Sequence, residues 1–178
     1  MSVLDTARAR LTDAARSQQD RYAGDADRPL GGYVATMSVY AGVVGGLAAI
    51  ARLTDRKVPD GLSLTDVGLS ALATHKISRL LAKDPVTSPL RAPFTEYEGT
   101  SGPSELHEEV RGTGGQKTVG ELITCPFCTG VWVATGLTAG LIYLPRTTRL
   151  AMGTFAALAG ADILQFTHAW LDKVSSGG

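Results

Sequence analysis

The chain has 178 residues, a formal net charge of zero and 19% charged residues against 44% hydrophobic ones. That is the size of one domain, and a charge-balanced chain has no bulk attraction for a polyanion, so no nucleic-acid partner is expected. The composition mixes polar stretches with long runs that carry no charge at all, and the runs decide the class.

Residues 1–30 place Leu4, Ala7, Leu11 and Ala14 at helical spacing among charged residues. This predicts a polar, amphipathic helical arm, either solvated beside a membrane or binding a partner. Residues 31–51 carry no charge and, at about 1.5 Å per residue, are long enough to cross a hydrocarbon core of roughly 30 Å. The polar stretch ahead of them argues against a cleaved signal peptide. Gly42 and Gly46 form a small-xxx-small pair within this run, which permits close helix contact.

Residues 62–82 predict a second span, opened by Ser63 and Asp66 in the pattern of a capping box. Residues 125–144 predict a third, stopped by Pro145 and Arg146. Residues 150–171 predict a fourth, apolar up to Ala161 and then carrying Asp162, Gln165 and His168. Ionisable residues interrupt the second and fourth, for which a half-buried amphipathic helix is the alternative. The expected fold is all-α: an integral membrane, four-helix transmembrane bundle over residues 31–171, with an irregular loop over 83–124 between the second and third spans. Residues 172–178 are expected to form a flexible tail. Four spans put both termini and the loop on one side, and Arg8, Arg10, Arg16, Arg21 and Arg28 assign that side to the cytoplasm of a bacterial inner membrane.

In the loop, "DPVTSPLRAPFTEYEG" contains three prolines, each steering its predecessor to extended backbone. An irregular strap across the membrane face follows, with Asp84, Arg91 and Glu96 as its polar residues and Arg91 and Glu96 free to pair with the bundle. Further on, "GTGGQKT" departs from a phosphate-binding loop, because Gln116 stands where a glycine is needed and no strand is expected before it. It is read as a flexible turn.

Four antiparallel spans bring the end of the second, the start of the third and the end of the fourth to one membrane face. His75, Arg79, Cys125, Cys128, Asp162, Gln165 and His168 then share one half of the bilayer. Ionisable groups there cost roughly 2.5 to 3.5 kcal/mol each on insertion scales, so they should face one another. A buried polar cluster of His75, Arg79, Asp162 and Gln165 is expected, with Arg79 compensating Asp162; snorkelling to the interface is the alternative.

Both cysteines lie in "TCPFCTGVW". Pro126 suits an early helical position, and Cys128 follows Cys125 by one turn at a helix start, whose positive end favours thiolate. As a candidate catalytic thiol pair, C-P-F-C is similar to a glutaredoxin-type redox motif, although the surrounding βαβ pattern is absent. As a metal site, the pair supplies two zinc ligands, with His75 and His168, or His107, as completions. The third reading is plain packing of a helix start, with reduced thiols shielded by Phe127, Trp132 and the strap. The function expected is a structural or partner-binding role, assembling with the chain itself or a larger complex in the lipid bilayer. A membrane thiol-disulfide oxidoreductase or metal-binding protein is the alternative.

"HKISRLLAKDPVTSPLRAPFTEYEG", "GELITCPFCTGVWVA" and the late "ADILQ", in that order, resemble a bacterial membrane-protein family of unknown function, the one that includes the sporulation protein YjcA. The resemblance covers residues 31–171 and leaves the amino-terminal arm outside. It implies a small multi-span membrane protein, and that His75, Arg79, Asp84, Arg91, Cys125, Cys128, Gly130 and Trp132 belong to the family pattern. It implies no reaction.

Overall fold

The computed structural model describes residues 3–24 and 26–176. Helix α1 (Val3–Ala23) carries Asp5 in its first turn and Arg21 in its last, each at the end of the helix dipole that favours it. Its Leu4 and Leu11 are exposed. Met1 and Ser2, at the start of the expected arm, lie outside the described residues, as do Gly177 and Gly178 of the expected tail.

Helix α2 (Leu30–Leu53) starts behind Pro29 and follows the first uncharged run. In α3 (Leu64–Lys83) the Ser63 side chain accepts the Asp66 amide at 3.0 Å, so the capping residue read from the sequence performs that role. Pro85 ends α3 by holding Asp84 in extended backbone. A 3-10 turn (Pro85–Thr87) and the short α4 (Ser88–Arg91) follow.

Two strands come next, β1 (Thr95–Gly102) and β2 (Glu105–Val110), paired antiparallel with Tyr97 opposite Glu108. Pro103 followed by Ser104 at φ 62° gives their turn the proline-then-positive-φ pattern of type II. The register shifts between Tyr97 and Gly99, leaving Glu98 as the extra residue of a bulge. The chain is therefore mostly helical but not all-α, and residues 83–124 are not an irregular loop. The alternation that makes β2 a half-buried strand sets Leu106, Glu108 and Val110 against exposed His107 and Glu109, and with a carboxylate in its middle it does not register as a hydrophobic pattern.

Helix α5 (Gly114–Thr124) begins inside "GTGGQKT", which corrects the flexible turn. Pro126 then breaks the uncharged run: Cys125 is extended between α5 and α6 (Pro126–Tyr143). Helix α7 (Pro145–Ser175) has 31 residues, starting earlier than expected and running through most of the expected flexible tail.

The core sits where α3, α6 and α7 meet. Ala73, Leu141 and Met152 are buried there, and Leu69, Ile77, Leu137 and Phe155 pack around them. Small residues allow the close approach: Ala73, Ala82, Ala156 and Ala159 are all buried. Helix α2 meets α6 and α5. Helices α2, α6 and α7 are long and apolar enough to cross a membrane by length and composition. Helix α3 is not among them, because Asp66, His75, Lys76 and Arg79 interrupt it, although it packs against both α6 and α7.

Candidate functional site

The carboxyl end of α3 leaves backbone carbonyls without intrahelical donors, and the segment "DPVTSPLR" supplies them. The Thr87 hydroxyl donates to the Leu80 carbonyl at 2.5 Å and to that of Asp84 at 3.0 Å. Arg91 donates from Nη1 to the Leu81 carbonyl at 2.8 Å and to Thr87 Oγ1 at 2.7 Å, and from Nη2 to the Asp84 carbonyl at 3.1 Å. Its Nε completes an ion pair with Glu108 of β2, whose side chain is 7% exposed against 1% for Arg91. The Asp84 carboxylate accepts the Val86 amide at 2.8 Å and starts the 3-10 turn. One buried guanidinium thus caps a helix and fastens the hairpin to it.

Glu96, expected to pair with the bundle, is exposed on β1 opposite Glu109. The pairing falls to Glu105 and Glu108 instead: strand alternation puts Glu108 on the half-buried face with Leu106 and Val110, and the hairpin turn brings Glu105 to Arg79. The hairpin is also held through α5. There the methyl that Gly120 lacks would lie 2.5 Å from Val110 Cγ1 and 3.1 Å from the Phe94 carbonyl oxygen. On the other side of α5, Glu121 accepts from the Tyr33 hydroxyl at 2.6 Å and from Arg28 at 3.2 Å, tying the start of α2 to the same cap.

Between α3, α7 and the hairpin turn lies a cavity of about 690 Å³ whose lining includes His75, Lys76, Arg79, Glu105, Asp162 and Gln165. The four residues expected to form a polar cluster therefore line one space, but their pairing differs from expectation. Asp162 pairs with Lys76, at 2.6 Å, and Arg79 donates from Nε to Glu105 at 2.8 Å. Lys76 lies one turn before Arg79 on α3, level with Asp162, whereas the hairpin turn brings Glu105 over Arg79. Nothing local in "SGPSELHEE" announces that Glu105 returns to α3; only the hairpin geometry does.

These two pairs set an expected result. Lys76→Met and Asp162→Leu should each destabilise the protein, and the double variant should recover part of the loss, giving a coupling of about 0.5–3 kcal/mol. Arg79→Met should couple to Glu105→Leu and not to Asp162→Leu. Equilibrium unfolding in mixed micelles measures the cycle, and strong coupling of Arg79 to Asp162 would return the pairing to the one expected from sequence.

Cys125 caps α6: its Sγ accepts the Cys128 amide at 3.3 Å. The thiols are free, with Cys125 half-buried and Cys128 exposed. Phe127 is 89% exposed, so it does not shield the pair as expected. Trp132 instead packs edge-on against Tyr40 of α2, centroids 5.2 Å apart. Gly130 faces α3, where an added methyl would meet Thr74 at an ordinary 3.7 Å. His168 pairs with Asp172 at 3.4 Å on an exposed face of α7, and His107 is exposed on β2. Among the described residues no three His, Cys, Asp or Glu side chains are grouped so as to hold a metal ion. The zinc set of Cys125, Cys128, His75 and His168 is thus not assembled: His75 lines the cavity between α3 and α7, whose lining includes neither cysteine, and His168 pairs with Asp172.

These elements define a class: a mostly helical protein with three helices able to cross a membrane and a folded cap built on the end of a fourth. The chain belongs to the family described as "Protein of unknown function (DUF1360)", whose model matches residues 69–168. It is similar to the "Sporulation protein YjcA" of Bacillus subtilis (strain 168), with 32% identity over 120 residues, 65% of this chain and 99% of that protein. No solved structure matches it significantly. The family match runs from within α3 into α7, so it contains the Arg91 cap, the cavity and the cysteine pair and leaves out α1 and α2.

Proposed function

We propose that this is a four-span protein of the bacterial inner membrane, with α2, α3, α6 and α7 as its spans, whose hairpin cap docks it into a larger membrane assembly or onto a second copy of itself. Lipid as solvent accounts for α2, where Val34, Met37 and Val39 are exposed along a run that carries no charge before Arg52 in the last turn. It also accounts for α3, whose Lys76 finds a carboxylate on α7 and whose Arg79 finds one on the hairpin. Four spans return both termini and the cap to one side, which the arginines of the arm assign to the cytoplasm.

The observation that carries the assembly role is the hairpin itself. Strand β1 is exposed over most of its length and among the described residues pairs only with β2, which a buried ion pair fastens to the end of α3. An ordered strand with a free edge is a template for pairing with another chain. Purified in mild detergent, the protein should form a particle much larger than one chain. A photo-crosslinker at exposed Tyr97 should join it to a partner or a second copy. A monodisperse single chain with no crosslink at Tyr97 would overturn the docking role.

A second reading, thiol–disulfide exchange, has in its favour the free Cys125 and Cys128 held one turn apart with Cys128 exposed. Cys128→Ser separates the two: the crosslink at Tyr97 survives if the role is assembly, whereas trapping of a mixed disulfide on Cys125, whose sulfur sits at the positive end of α6, marks the thiol reading.

A further inference from the structure

A second cavity, of about 530 Å³, lies between α2 and α6. Its size is that of a small-molecule site, roughly 300–1,000 Å³. The two helices are pinned at two points: the Tyr40 and Thr135 hydroxyls are 2.8 Å apart, and the Tyr143 hydroxyl donates to the Leu47 carbonyl. Between the pins Ala139 presents only a methyl on the α6 side, and the space it leaves open is an apolar groove lined also by Val44, Ala48 and Ile142.

Beyond the Tyr143 pin the groove changes character. Arg52, in the last turn of α2, and Arg56, just past its end, both line it. Both are exposed, and among the described residues neither takes part in an ion pair, although Asp55 and Asp60 stand close by in sequence. The carbonyl end of α2 accounts for one cation. Two guanidiniums that line the same end of an apolar groove, neither of them in an ion pair among the described residues, present planar forks that match phosphate oxygens.

We infer that this groove holds one anionic phospholipid, an acyl chain lying between α2 and α6 and the headgroup phosphate on Arg52 and Arg56. The inference rests on the membrane reading above and adds a lipid class and a site to it. A zwitterionic headgroup carries its own cation to the arginines, so the site discriminates by charge.

Native mass spectrometry of the full chain released from micelles, titrated with phosphatidylglycerol, phosphatidylcholine or inorganic phosphate, tests this. One retained phosphatidylglycerol per chain is expected, at least tenfold preferred over phosphatidylcholine and not displaced by inorganic phosphate. Arg52→Gln with Arg56→Gln should abolish the preference, and Arg146→Gln, outside the groove, should not. Ala139→Trp, which fills the groove and keeps both arginines, should lose the retained lipid, so the inference stands testable even if the double arginine variant fails to fold. Equal retention of both lipids, displacement by inorganic phosphate, or indifference to Ala139→Trp overturns it. Alkaline carbonate extraction separates the two levels: release of the wild-type chain from membranes would sink the membrane reading and the lipid site together. Resistance to carbonate without lipid preference would sink the site alone.

Discussion

Arg91→Met should cost about 3–5 kcal/mol of stability, the range found when one member of a buried ion pair is removed. Glu108, 7% exposed, would be left charged and unpaired, and the Leu81 and Asp84 carbonyls would lose their guanidinium donors. Replacing Glu108 as well, by Leu, should recover part of that loss but not all of it, because the carbonyls at the end of α3 remain unpaired. Arg91→Lys should fare little better than Met. A single ammonium cannot reach Glu108, Thr87 and two carbonyls that the planar guanidinium contacts along different edges. Denaturant unfolding in mixed micelles gives the magnitudes, and limited proteolysis within residues 95–110 reports whether the hairpin comes loose first. An Arg91→Met protein within about 0.5 kcal/mol of the wild type would show that the cap does not depend on this residue.

The cap also shows what the sequence could and could not convey. The helices over the apolar runs were legible because lipid-scale length and freedom from charge are local properties, and the start of α3 was legible because Ser63 caps it through a bond to its own neighbour Asp66. Three prolines correctly exclude one long helix after Asp84. They do not reveal that the turns between them fold back on the end of α3, since that depends on Arg91 reaching carbonyls up to ten residues behind it. The hairpin was hidden for a related reason. Its inward-facing residues include Glu105 and Glu108, which read as solvent-facing until Arg79 and Arg91 are placed opposite them. In the same way, the space shared by His75, Arg79, Asp162 and Gln165 follows from helix order, whereas which cation meets Asp162 turns on one helical turn, finer than span boundaries can fix.

Gly120→Ala should destabilise the protein by about 1–3 kcal/mol, as overpacking of a closed contact does, even though alanine is the better helix former. The added methyl would sit 2.5 Å from Val110 Cγ1 and 3.1 Å from the Phe94 carbonyl oxygen, so α5 must move away from the hairpin. It cannot retreat freely, because its opposite side meets α2 just as closely: a methyl on Gly32 would lie 2.0 Å from Thr118 Oγ1. Val110→Ala should relieve most of the Gly120→Ala penalty by removing the side-chain clash. It should not rescue Gly120→Val, whose larger side chain also meets the Phe94 carbonyl, a backbone group that already accepts the Arg111 amide at 3.0 Å. Gly115→Ala, in the same helix but with nothing within 4 Å of the new methyl, supplies the control and should leave stability unchanged or raise it. Thermal unfolding midpoints of the four variants decide the matter. If Gly120→Ala and Gly115→Ala behaved alike, α5 would have room to shift and would not be wedged between α2 and the hairpin.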